Sequence, residues 1–198
     1  PPDYEGKSRY PNSGDSSEAY VISVTDGTNT STQSLIINIT DVNEAPEFST
    51  GEATFSPNEN QTAIGTVTAS DDDGDTLTYS ITGSDMIINS STGVIAFASA
   101  PDYETKSRYT ATVTATDGTN TSTVAITVNV ANINEAPIFT SSATFSAAEN
   151  QTVVGTAEAT DPEGESVTFS TSGTELNISD SGVITFDSAP DYETKSSY

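Results

Sequence analysis

The stretch Ser70–Asp75, SDDDGD, places Asp71, Asp72, Asp73 and Asp75 within six residues, just before the strand-like run TLTYSI. Like charges this close repel by roughly 1 kcal/mol per pair at 4 Å in water, and several-fold more near a protein surface. Folding them together calls for a counter-charge. Other acids and amides stand at comparable places: Glu59 in NEN, Asp102 and Glu104 in DYE, Asp117 in TDG, and Asp41, Asn43 and Glu44 in DVNE. His and Cys are both absent, so a metal held here would meet oxygen alone, and an oxygen-only donor set selects a hard cation. Ca²⁺ accepts 6–8 oxygens with flexible geometry, whereas Mg²⁺ keeps strict octahedra and retained water.

Composition removes several other chemistries. A nucleophilic triad needs His or an equivalent base, and carboxylate pairs able to hydrolyse glycosides occur here only inside the repeated acidic sets, so no enzyme activity is expected. An EF-hand would need Gly at its sixth position and a following helix; Gly74 comes fourth and a strand follows. Net charge is −24, from 29 acidic against 5 basic residues. That argues against nucleic acid, whose phosphates need Lys and Arg, and against an anionic membrane surface. No apolar run approaches the ~20 residues of a membrane span. Without Cys no disulfide staples the fold. The chain opens with Pro1 and shows no signal peptide, which reads as a window from a longer protein.

The elements that position these groups repeat. NEAP occurs at 43–46 and 134–137, ENQT at 59–62 and 149–152, TDGTNTST at 25–32 and 116–123, and PDYE at 2–5, 101–104 and 190–193. Most copies lie about 90 residues apart; the first PDYE is further away because PNSGDSSE (11–18) reads as a loop insertion. The expected organisation is a C-terminal part of one repeat over 1–43 (its last two strands), a complete repeat over 44–135, and the N-terminal part of a third over 136–198.

Within the repeat the periodicity is two. One face of YTATVTATDG collects Tyr109, Ala111, Val113 and Ala115, and Val124, Ile126, Val128 and Val130 alternate with polar or small residues. Strands are expected near 53–56, 62–69, 76–82, 86–89, 94–98, 108–116 and 121–131, with no convincing helix. Seven short strands in about 90 residues predict an all-β fold of tandem seven-stranded Greek-key sandwiches of the immunoglobulin-like type. A lone two-stranded hairpin is marginal in water. Either flanking sequence completes the partial repeats, or hairpin 1–43 completes the 136–198 part of a neighbouring chain by strand addition.

Loops of such a sandwich alternate between its two ends. DDD and TDG then face the preceding repeat, and DYE, Glu59 and the outgoing linker face the next. Around the first linker this gathers Asp3, Glu5, Asp41, Asn43, Glu44, Asp71, Asp73 and Asp117. Seven of these are carboxylates, which share a small space only when protonated or metal-bound, and the donor count suits more than one ion.

The ordered motifs ENQT, SDDDGD, PDYE, TDG and DVNEAP resemble the calcium motifs of cadherin repeats, over essentially all of the chain. NEAP and the Thr-rich strands resemble repeats of large bacterial surface proteins and adhesins. The resemblance implies calcium ligands at Glu59, Asp71, Asp73, Asp102, Glu104, Asp117, Asp41, Asn43 and Glu44, with the Val42 carbonyl. It also implies an extracellular or cell-surface segment whose linkers stiffen when calcium binds, and whose partners are neighbouring repeats. Two departures stand out. The second linker, Asn132 with Asn134 and Glu135, opens on an amide in place of the first Asp, and the third D-x-D is Asp161 with Glu163. Weaker calcium binding is expected there. Trp is absent, so the Trp-exchange adhesion of animal junctional cadherins is not expected.

Other features have simpler readings. Asp72 and Asp75 are expected to point outward. Tyr103 and Tyr192 could offer a sugar-stacking platform, but are expected to pack on their own sandwich. Lys106 and Arg108 read as counter-charges to the acids beside them. NQT, NTS, NIT and NIS match the glycosylation pattern; in a bacterial source most would be polar strand-end residues. The rival functions are a carbohydrate- or surface-binding module and a self-assembling filament.

Overall fold

The structure, a computed structural model, describes residues 9–10 and 20–198; Asp3 and Glu5 lie outside this range. The described residues form two compact units. One holds the residues up to Asp102 together with Lys106–Ala131, and the other holds Tyr103–Thr105 with Asn132–Tyr198.

The first unit begins with four strands. β1 (Arg9–Tyr10) and β2 (Tyr20–Thr25) are followed by β3 (Thr30–Leu35) and β4 (Ile37–Asn38). β2 and β3 pair antiparallel as a hairpin, and β1 pairs with β4.

The next strands build a sandwich: β5 (Glu47–Phe48), β6 (Glu52–Phe55), β7 (Ala63–Thr66), β8 (Ala69–Ser70), β9 (Thr78–Ile81), β10 (Met86–Ile88), β11 (Val94–Phe97), β12 (Arg108–Thr116) and β13 (Thr121–Asn129). One sheet runs β6-β13-β12-β9, with β6 parallel to β13; the other runs β10-β11-β7, and β5 pairs with β8. β12 and β13 stay in register over their whole length, from Arg108↔Asn129 to Thr116↔Thr121.

Alternation decides which face is inside. Val113, Ala115, Val124, Ile126, Val128 and Val130 are buried from one sheet and Met86, Ile95 and Phe97 from the other. Full burial of a Val or Ile side chain contributes about 1.5–3 kcal/mol, so this interleaved layer carries the sandwich. Tyr79 is buried too, and its hydroxyl accepts the Ala69 amide at 3.1 Å.

The expected strand over 62–69 is in fact two, β7 and β8, which belong to different sheets. Between them Val67 turns into the core and its amide bonds the Gly93 carbonyl at 3.1 Å. A β-carbon on Gly93 would stand 2.2 Å from the Val67 oxygen, and its φ of +68° is unfavourable for other residues. The chain changes sheets here because only glycine admits the crossing.

In the second unit β14 (Ile138–Phe139) pairs with β16 (Ala159–Thr160), and β18 (Val183–Phe186) lies between β15 (Val153–Thr156) and β17 (Leu176–Ile178). These pairings repeat β5-β8 and β7-β11-β10. Gly182 repeats Gly93: its φ is +85°, and a β-carbon there would stand 2.2 Å from the Ala157 carbonyl oxygen.

Candidate metal centre

Two loops and one linker meet in the first unit. The D-x-D loop follows β8 and wraps over Asp71: its Oδ1 accepts the amides of Asp73 (3.1 Å) and Asp75 (3.3 Å), and its carbonyl accepts the Gly74 amide at 3.2 Å. This is the local bonding that lets Asp close a turn on its own backbone. It leaves the other oxygen, Asp71 Oδ2, buried with no hydrogen-bond partner.

The β12–β13 turn is built the same way. Asp117 Oδ1 accepts the amides of Thr119 and Asn120, both at 2.6 Å, and Thr116 Oγ1 receives the Gly118 amide at 3.0 Å. Donation from Thr119, then Asn120, with the Asn43 amide adding to it, holds the Asp117 carboxyl below its ordinary range. The linker docks on both loops: the Glu44 amide donates to Asp73 Oδ2 at 3.0 Å, and Asn43 Nδ2 donates to Asp117 Oδ2 at 2.8 Å. Asp41 and Val42 are exposed, and no hydrogen bond joins the Asp41 side chain to a described residue. Asp72 and Asp75 are exposed as well.

The second unit repeats the arrangement with longer side chains. Asp161 Oδ1 accepts the amides of Glu163 (3.1 Å) and Glu165 (3.2 Å), and Glu163 Oε2 accepts the Glu135 amide at 3.3 Å. Glu163 Oε1 is buried without a hydrogen-bond partner. One oxygen each from Glu104, Glu135 and Glu163 lie within 4.8 Å of one another. Buried polar atoms are nearly always partnered, and an exception calls for an explanation such as a bound ion. Two such carboxylate oxygens, one on the first acid of the first D-x-D loop and one on the third residue of its second copy, in an oxygen-only donor set, fit a hard cation such as Ca²⁺.

Residues 51–131 match the family model of the cadherin domain. This stretch is a cadherin domain. Beyond it, the chain is 33% identical over 189 residues to mouse protocadherin Fat 4, a match covering 82% of this chain and 4% of that protein. It is 35% identical over 105 residues to chitinase A of Pseudoalteromonas piscicida, covering 52% of this chain and 13% of that protein. The chain thus spans a small fraction of the length of these relatives. The solved structure of mouse cadherin-23 EC22-24 shares the fold, with a TM-score of 0.55 at 23% identity over 97% of this chain and 68% of that one. A cadherin domain is a structural and adhesive module and not a catalytic one.

The remaining sequence-derived residues fall at the far end of the cadherin domain or in the second unit. Glu59 is 3% exposed, and its amide bonds the Ala131 carbonyl at 3.0 Å. Asp102 is exposed, and its carbonyl accepts the Lys106 amide. Asn132 is exposed, and Asn134 Nδ2 donates to the Glu135 carbonyl at 3.2 Å. Lys106 pairs with Asp85, its Nζ 2.6 Å from Oδ2 and 4.2 Å from the Tyr109 ring centre. Lys106 thus pairs with an acid distant in sequence and not with the adjacent ones expected, and Lys195 repeats this with Glu175 and Tyr198. Tyr192 is 66% exposed, so it does not pack on its sandwich as expected.

Sequence reasoning passed over two groups. Glu149, Asp191 and Glu193 bring one oxygen each within 4.8 Å of one another, and Glu149 Oε2 accepts the Tyr192 amide at 3.1 Å; the second copy of ENQT and the third of PDYE were the available signal. Asn120 was the other. It recurs in both copies of TDGTN, but as a neutral residue it did not stand out beside Asp117.

Proposed function

We propose that this chain is an extracellular, cell-surface segment of tandem cadherin repeats whose linkers bind Ca²⁺ and stiffen when they do. Its repeats would be 1–43 (part), 44–135 (complete) and 136–198 (part), of the kind found in large bacterial surface proteins and adhesins. NEAP and the Thr-rich strands support that kind, and the match to Pseudoalteromonas chitinase A supports only that such a stretch occurs in a bacterial protein. The observation that carries the calcium reading is the pair of buried, partnerless oxygens, Asp71 Oδ2 and Glu163 Oε1, one in each copy of the D-x-D loop.

At the first linker the holders would be Asp71, Asp73, Asp117, Asp41, Asn43 and Glu44 with the Val42 carbonyl, joined by Asp3 and Glu5. At the second they would be Glu59, Asp102, Glu104, Asn132, Asn134, Glu135, Asp161 and Glu163. Glu149, Asp191 and Glu193 would begin a third set. When bound, the cation supplies positive charge that offsets carboxylate repulsion; more than one ion per linker suits the donor count. The protein's part is to hold the acids together on turns already closed by Asp71 and Asp117. A ligand that binds only the closed linker stabilises it by RT ln(1 + [L]/Kd). Neighbouring repeats are the partners, with self-association as a further contact.

Calorimetric titration with Ca²⁺, combined with small-angle scattering in calcium and in chelator, tests this reading. Micromolar-to-millimolar binding with a longer, stiffer particle in calcium is expected. No heat of binding and unchanged dimensions would overturn it.

A further inference from the structure

We propose that Asn120 is a positioning residue: its carboxamide clasps the incoming linker through neutral hydrogen bonds that need no cation. Asn120 Nδ2 donates to the carbonyls of both Asn43 and Glu44, each at 3.0 Å. A primary amide has two N–H donors, so one side chain serves both carbonyls. The linker carries its own complementary bond, because Asn43 Nδ2 donates to the Glu44 carbonyl at 3.0 Å as well as to Asp117.

Asn120 is fit for this because its backbone is immobilised independently of its side chain. Its amide bonds Asp117 Oδ1 at 2.6 Å and its carbonyl accepts Thr116 Oγ1 at 2.8 Å, at the tip of the nine-residue strands β12 and β13. The side chain, half-buried, is then aimed at the linker instead of closing its own turn. The TDGTN copy at 25–29 closes the same turn, yet Asn29 Nδ2 there reaches only its own Asp26 Oδ2, at 3.5 Å. The clasp thus uses a position that the turn leaves free. Neither a carboxamide nor a peptide carbonyl titrates, and the bonds between them carry no net charge, so the clasp persists where the carboxylates are uncompensated. This goes beyond the calcium reading and stands without it.

The test uses the full 198-residue chain, glutamyl endopeptidase and mass spectrometry, in chelator and in saturating calcium. In chelator, Asn120→Ala should raise cleavage after Glu44 about tenfold, the effect expected for losing two hydrogen bonds of ordinary strength. Cleavage after Glu135, in the other linker, should not change, and neither should the melting temperature. Asn120→Ser, whose side chain is too short to reach the linker, repeats the test should the alanine variant fold poorly. Equal cleavage after Glu44 in variant and parent, or a rise at both linkers alike, overturns the clasp. Failure of the calcium reading shows separately, as a parent chain that calcium does not protect.

Discussion

Asn43 and Asp117, 74 residues apart in the chain, are joined by a 2.8 Å hydrogen bond from the Asn43 carboxamide to Asp117 Oδ2. The bond matters because Asp117 Oδ1 is already committed to its own turn. The carboxylate therefore faces two ways: one oxygen shapes the β12–β13 tip and the other meets the linker. The same division holds at Asp71, where Oδ1 closes the loop and Oδ2 is left buried and unpartnered.

Asp71→Asn keeps the loop-closing oxygen and removes the charge. Calcium affinity at the first linker should fall by about tenfold or more, since affinity follows the number of charged ligands. In chelator the variant should melt no lower than the parent, because a buried uncompensated charge has gone. Calorimetry and thermal melts check both halves; unchanged affinity would remove Asp71 from the ligand set.

The two linkers should differ. Asn132 stands where the first linker has Asp41, and an amide brings an oxygen without a charge. Titration should resolve a weaker class of sites, and Asn132→Asp should strengthen it by about tenfold. Equal affinities in the parent chain would contradict this.

The turn at Asp117 should depend on pH in chelator. Donation from Thr119, Asn120 and Asn43 lowers its pKa relative to an unfolded value of about 3.9. A group depressed in the fold contributes stability fully above the unfolded value and loses it as pH falls through the folded one. The Thr119 and Asn120 amide resonances should therefore hold steady above about pH 4 and shift only in more acid solution. Asp117→Asn, which keeps an acceptor but cannot ionise, should show no such step.

Gly93→Ala should destabilise the cadherin domain by about 2–4 kcal/mol, the combined cost of a left-handed conformation and a clash with backbone. The nearest atom is the Val67 carbonyl oxygen, which cannot move without losing the β7–β8 crossing. Gly182→Ala should act likewise through Ala157. Thermal unfolding measures both; a loss under about 0.5 kcal/mol would show that the crossing is not built as described.

Much of this molecule is legible before any coordinates. The two-residue period over 109–115 and 124–130 names the inward side of β12 and β13, because a pleated strand turns alternate side chains to opposite faces. The acidic motifs, their order and the oxygen-only donor set are also present in the linear chain. What the period could not show is which strands join which sheet. The run 62–69 reads as one strand in the sequence, yet it divides at Val67, since pairing is decided by partners far along the chain, not by local pattern.

Partner choice is likewise a tertiary matter. Lys106 lies beside Asp102 and Glu104 in sequence but bonds Asp85, and Tyr192 stands out from its sandwich. Asn120 has no charge and recurs only as the last residue of TDGTN; the linker's arrival at 3.0 Å gives it a role. Residue type and spacing thus determined the strands, the repeat and the chemistry available at the linkers. The tertiary structure alone decided which oxygens are left buried without a partner, because a hydrogen bond depends on distance and direction in space, and neither is written in the order of residues.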